Sequence, residues 1–510
     1  MSQLTSLARL LAVETGRAQP TKTVRHVHLS DRPLVLVAAQ LAGEACAPLG
    51  ALIGDDRTRP RLLVVYEPRD RTQRFAWAAA VAETVLGYID GYAKEVPDQD
   101  PDPEASPETG TPKPEPAADA PQLLVPNPQT AGFLRLLGRS TRFRSTTGEY
   151  AVPEAVPLLG RWLTYYSERT EVTPSALLLQ LTAVLADHWA SGQSATEDVL
   201  LGALVGWIDP PPGLTGPQAA RVAEDPVRCP PAGPVTDPGW DNDVLEPMIA
   251  AVRAATASGD AAALARVQTA MDGALWSQLR PTWDLTWQGI DLLRELPEAA
   301  HVAARWLDDR KSFTSTVAWI RQGGAPQPRR DGAVSAARRL ARLEREQQRL
   351  AVERAFDDPL VLAEYRLTGE AFAGRVTWRA PDRLDQSGSR AVPRPLITLA
   401  TEDEVIMDEG TVLKSPVRPR QKAVLTEILP PESPGGTTFV TLELTSGMGR
   451  GRTPQPGSIP AFGEELTYTS LSDDFQPPAK FPAREDTPWT HGGPPQEYVP
   501  TDDDAREDWS

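Results

Sequence analysis

The sequence predicts a multi-domain α+β protein. It has an N-terminal α/β domain, a central all-α helical body and a C-terminal small β-barrel or sandwich, with a disordered acidic linker and tail. Three observations carry that reading. Nine of the 13 Trp fall between Trp162 and Trp319, where apolar residues recur every three to four positions. After Asp357 the apolar period shortens to two. Proline and acid crowd into two stretches, residues 95–121 and 472–510, which are too poor in aliphatic side chains to order themselves. The expected divisions are 1–140, interrupted by the insertion at 95–121, then 150–357, 370–471 and the tail 472–510.

In chain order, Ser6–Glu14 is a short helix candidate. Thr23–Leu29 alternates and reads as a strand carrying His26 and His28 on one face. Leu34–Ala39, Pro48–Gly54 and Arg61–Tyr66 are further strands, and Phe75–Tyr92 is a helix with Phe75, Ala79, Ala82 and Val85 on one side. The chain resumes after the insertion with a strand at Leu123–Val125 and a helix from Ala131. Thr173–Pro174 has the form of an N-cap and first-turn proline, predicting a helix to Trp189. Thr196 opens another, stopped by Pro210, Pro211 and Pro212, and Gly213–Pro238 reads as a proline-rich loop.

Helical segments follow at Asp241–Ala257, at Asp260–Leu279, in the tryptophan run Leu275–Ile320, and at Glu298–Gln322. Trp283, Trp287, Ile290 and Leu293 share a helix face, so these rings anchor a core. Val334–Phe356 is a charged helix with Ala336, Leu340, Leu343, Gln347 and Leu350 at heptad spacing, a seam expected to dock on its own body. Six short strands, centred on Arg375–Arg379, Leu396–Ala400, Thr411–Lys414, Ala423–Ile428, Thr438–Leu444 and Leu466–Thr469, predict the barrel.

The net charge of −17 is uneven: the two acidic stretches hold 14 of those charges, leaving a nearly neutral remainder. A near-neutral body neither requires nor excludes nucleic acid. The 45 Arg against 7 Lys fit a high-G+C bacterial genome. Cys46 and Cys229 make no disulfide framework, no apolar run reaches the length of a membrane span, and Leu4–Val13 lacks the features of a leader. A soluble, cytoplasmic protein with no membrane partner is expected.

Phosphate-loop, nucleophile-elbow, HExxH and CxxC patterns are missing from the sequence. One constellation suggests chemistry. Asp56-Arg57 follows one strand and Glu67-Pro68-Arg69 the next, with Glu14 on the preceding helix. This order resembles the PD-(D/E)xK restriction-endonuclease-like fold, most nearly its RecB-type branch. The resemblance implies that Glu14, Asp56 and Glu67 hold Mg²⁺, which polarises the scissile phosphate and generates hydroxide. It departs where the family has lysine: Arg69 keeps its proton and cannot serve as a base. The resemblance covers the first 140 residues only.

A second signal lies in the barrel, where Arg418, Arg420, Lys422, Arg450 and Arg452 surround a glycine-arginine turn and form a candidate nucleic-acid-binding set. The function expected is a non-catalytic scaffold or accessory protein of a bacterial assembly, without a cofactor and with other proteins as partners. A degenerate Mg²⁺-dependent nuclease and a nucleic-acid-binding barrel are the alternatives.

Overall fold

The computed structural model describes residues 3–44, 46–96, 115–230, 233–387, 391–431, 433, 435–449, 451–472, 474, 480 and 499. The expected α+β architecture, ending in a barrel, is the one found.

The first helix, α1 (Gln3–Thr15), precedes a meander of β1 (Leu34–Gln40), β2 (Pro48–Gly54) and β3 (Arg61–Val64). Helix α2 (Arg71–Ala93) is capped by Asp70, whose carboxylate accepts from Gln73 N. It leads to β4 (Leu123–Val125), parallel to β1. Helices α3 (Pro128–Thr141) and α4 (Ala155–Arg169) then deliver β5 (Leu178–Gln180), parallel to β4. The sheet order is β3-β2-β1-β4-β5. β1 and β2 are buried along nearly their whole length, as strands covered on both faces must be.

Next come α5 (Leu181–His188), α6 (Leu201–Ile208), α7 (Gly216–Ala223), α8 (Glu246–Ser258) and the 34-residue α9 (Ala261–Arg294). Register decides which helices cover which face. Arg61 opposes Ile53, Leu63 opposes Ala51, and Arg61 reaches Glu83 of α2 at 2.7 Å, so that face lies under α2. The other face of β2 carries Gly50 and Gly54, where an added Cβ would sit 3.5 Å from Leu275 and 3.7 Å from Trp283 of α9. The body is therefore a three-layer α/β/α unit. One hydrophobic cluster runs from Ala12 to Val317, so residues 1–140 and 150–357 share a single core.

Several expectations are corrected. Thr23–Leu29 is irregular: Arg25 bridges to Glu298 and donates its amide to the Pro297 carbonyl, while the Thr23 and His26 amides donate to the Asp358 and His188 side chains. The helix expected from Thr173 begins only at Leu181, because Leu178–Gln180 fills the vacant sheet edge beside β4. The loop at 213–238 contains α7, opened by a Thr215–Gln218 capping box. The segment expected at Asp260–Leu279 and the first part of the tryptophan run are one helix: α9 passes through Pro281, because Leu279, Trp283 and Trp287 on both sides are buried against one sheet. That burial outweighs a cost of about 3 kcal/mol for interior proline.

The acidic insertion is shorter than expected. Val96, Ala117 and Ala120 are buried, and both ends are held by α10 (Val302–Arg321). Arg321 donates to the Val96 and Ala93 carbonyls, while Thr314 and Arg310 bond the Ala117 amide and carbonyl. The disorder expected for 97–114, and almost the whole of the tail, lie outside the described residues.

Helix α11 (Ala333–Asp357) and α12 (Pro359–Leu367) lead into the barrel. Its strands are β6 (Ala371–Ala380), β7 (Leu396–Thr401), β8 (Val412–Lys414), β9 (Lys422–Leu429), β10 (Thr438–Leu444) and β11 (Glu465–Thr469). They close in the antiparallel order β7-β10-β9-β8-β11-β6, around a core of Phe372, Val376, Leu399, Leu442 and Tyr468. Closure leaves no free edge.

Candidate functional site

The carboxylates of the nuclease-like constellation do not come together. Asp56 lies in the β2–β3 turn, where Thr58 Oγ1 (2.7 Å), Thr58 N (2.9 Å) and Arg59 Nε (2.9 Å) donate to it. The Thr58 hydroxyl, then the Thr58 amide and Arg59, hold its pKa down at about 2. Glu67 lies beyond the other end of β3, ion-paired with Arg253 of α8, which holds its pKa below the ordinary value. Six residues of mostly extended chain separate Arg61 from Glu67, about 20 Å. Arg69 binds Glu44 at 2.7 Å.

Glu14 is exposed on α1, which leads into the Gly16–Gly216 contact with α7. Among the described residues, no group of three His, Cys, Asp or Glu side chains is placed to hold a metal. The residues present do not fit the Mg²⁺ that the resemblance implies. The sequence placed these acids after successive strands; the hairpin puts them at opposite ends of one strand.

The barrel bases separate in the same way. Arg418 is bound by Glu464 (2.8 Å) and the Gly457 carbonyl (3.0 Å), and Lys422 by Asp474 (2.7 Å). Arg420 and Arg452 are exposed, with no carboxylate partner among the described residues. Arg450 lies outside the described residues. Of the five tryptophans in the run, Trp283, Trp287 and Trp306 are buried and Trp276 and Trp319 are exposed; Trp283 meets Trp287 edge to face at 6.0 Å and donates to the Arg57 carbonyl at 2.9 Å.

His26 and His28 do not chelate. His28 stacks on Trp306 at 4.0 Å. His26 is buried, and desolvation lowers its pKa, so it is neutral at pH 7. It donates from Nε2 to Asp358 at 3.3 Å, leaving Nδ1 without a partner. Asp358, fully buried at the α11–α12 corner, also accepts from Thr23 N (2.7 Å) and Thr23 Oγ1 (3.0 Å) and caps α12 through Leu360 N. Beside it Arg305 spans Glu353 (2.6 Å) and the His26 carbonyl (3.0 Å). Arg366 of α12 then grips Asp403 through two bonds of 2.7 and 2.9 Å, and Asp403 also accepts from Ala373 N on β6. This polar chain joins body to barrel.

A cleft of about 740 Å³ lies between α11, the end of α4, Ser312 of α10 and the segment around Gln327. Only the C-terminal half of α11 docks apolar residues: Leu350 is buried, but Leu340 of the predicted seam is 58% exposed. The N-terminal half stands off on arginines. Arg338, Arg342, Arg345 and Arg349 fall on one helix face, and the first three line the cleft with Arg169 and Arg339. A second cavity of about 240 Å³ continues it, sharing Arg169, Val172 and Arg342.

Several of these cations are neutralised. Arg169 binds Asp309 at 2.6 Å, Arg339 pairs with Glu171 and Asp331, and Arg349 binds Asp308 at 3.0 Å. Arg338 and Arg342 meet no carboxylate among the described residues, and Arg345 bonds only the Ala341 carbonyl. Burial raises the Glu168 pKa, favouring its neutral form. On the wall, Gln327 Nε2 donates to the Arg161 carbonyl, while its Oε1 is buried and accepts from nothing. The arginine spacing of 338, 342, 345 and 349 marks this face in the sequence, interleaved with the leucine seam on the same helix.

No family model, curated protein or solved structure matches the chain. Among the described residues, no helix is long and apolar enough to cross a membrane.

Proposed function

We propose that this protein is a non-catalytic scaffold or accessory component of a bacterial cytoplasmic assembly, with other proteins as its partners. The observation that carries the reading is the joint between body and barrel. Asp358 binds Thr23 and His26 of the body at one side and caps α12 at the other, and Arg366–Asp403 extends the connection into the barrel wall. A buried, hydrogen-bonded joint fixes two modules in one orientation, as a protein that holds partners at a set spacing requires. The acids a nuclease would need are occupied in ion pairs and a turn, which favours a non-catalytic role over the nuclease-like one.

The test is purification from the native source under gentle conditions, alongside a nuclease assay with Mg²⁺ and Mn²⁺. Co-purification of defined partners, weakened by Asp358→Ala, is expected. Metal-dependent cleavage that disappears in Glu67→Gln would overturn the proposal. A second reading, nucleic-acid binding through the barrel, is favoured by Arg420 and Arg452, which are exposed and meet no carboxylate among the described residues. It predicts DNA binding that weakens steeply with salt.

A further inference from the structure

We infer that the arginine-lined cleft under α11 is a binding site for a compact polyphosphate, a ligand with several adjacent phosphates. The volume of about 740 Å³ lies within the range of small-ligand sites. Its cationic groups sit on a rigid helix: Arg338 and Arg342 are one turn apart, about 6 Å along the axis, and Arg345 follows on the same face. Guanidinium is planar and always charged, and it meets phosphate oxygens through paired N–H donors.

The charge balance at the wall favours an anion. The acids nearest the cleft are already committed, Asp331 and Glu171 to Arg339 and Asp309 to Arg169, while burial disfavours the charged form of Glu168. Arg338 and Arg342, both exposed and lining the cleft, meet no carboxylate among the described residues. The phosphates account for that excess. The site makes no use of the barrel arginines or of the Asp56 and Glu67 region.

The experiment is isothermal titration of the full chain, at low salt and again at about 0.15 M, with ATP, GTP, tripolyphosphate, inorganic phosphate, hexaglutamate and a single-stranded oligothymidylate. Saturable binding of tripolyphosphate or a nucleotide is expected, with inorganic phosphate weaker by about tenfold or more. The Arg338→Ala/Arg342→Ala double variant loses about tenfold or more of that affinity, whereas Arg420→Ala/Arg452→Ala leaves it unchanged. Both Arg338 and Arg342 are exposed on a helix and pair with no carboxylate among the described residues, so alanine there keeps the fold, checked by an unchanged thermal midpoint. The inference is overturned if neither tripolyphosphate nor a nucleotide binds, if the double variant binds as well as the parent, or if hexaglutamate binds as tightly as they do. It also falls if the oligothymidylate alone binds and depends on Arg338 and Arg342, since the site then takes a polymer backbone.

Discussion

Trp283 should be the costliest side chain in the body to truncate. It is fully buried, its ring lies against Gly54 of β2 and meets Trp287 at 6.0 Å, and its indole N–H reaches the Arg57 carbonyl at 2.9 Å. Tryptophan buries about 150–250 Å², and at about 25 cal/mol per Å² that is roughly 4–6 kcal/mol of transfer free energy. Large-to-alanine changes at such sites cost about 3–5 kcal/mol, because the surroundings collapse only partly. The lost hydrogen bond adds little, because the Arg57 carbonyl lies in an exposed turn that water can reach. Trp283→Ala is therefore expected to cost about 4 kcal/mol. Trp319→Ala, at a ring 53% exposed, should cost well under half of that.

The assay is urea denaturation followed by far-ultraviolet circular dichroism. Body and barrel have separate hydrophobic clusters, so two transitions are expected, with only the body's midpoint falling, by about 1–2 M. If Trp283→Ala prevents folding altogether, Trp283→Phe, with a smaller loss, serves instead. The reasoning fails if Trp319→Ala costs as much as Trp283→Ala, or if the loss appears in the barrel transition.

Burial pushes the His188 imidazole down to about 4. The unfolded chain takes up a proton below about pH 6.5 that the folded chain refuses, so stability should fall by about 3 kcal/mol between pH 6.5 and 4. His26 acts in the same direction, and His188→Gln should flatten the pH profile of the denaturation midpoint. His301 acts oppositely: its hydrogen bond to Asp357 raises its pKa, and the stability it adds is lost as pH rises through that value. Asp358→Asn turns an amide N–H toward donors that now face a carboxylate, which should cost about 2–3 kcal/mol and speed amide exchange at Thr23. At Gly160 an added Cβ would land on the Arg142 amide nitrogen and lie 2.5 Å from Thr141 Oγ1. Gly160→Ala should therefore destabilise by about 1–3 kcal/mol, read from the same urea titration, although alanine is the better helix former. Glu67→Gln, which breaks a half-exposed ion pair with Arg253, should change the midpoint by less than about 1 kcal/mol.

Local pattern alone determined much of this protein. Period-two alternation placed all six barrel strands to within a few residues, most clearly β7 and β10, which bury one side chain in two against a small closed core. The Trp283–Leu293 face and the runs Leu34–Ala39 and Pro48–Gly54 were equally legible, since burial on that scale leaves a mark on composition. Tertiary structure decided what depends on partners distant in sequence. Leu178–Gln180 became a strand because β4 offered it an edge, α9 continued through Pro281 because both of its halves pack on one sheet, and 115–121 was ordered by α10. The candidate sites belong to this second group. Whether Asp56, Glu67, Arg338 and Arg342 carry free charge is a matter of which opposite charges the fold brings within about 4 Å, and no spacing along the chain encodes that distance.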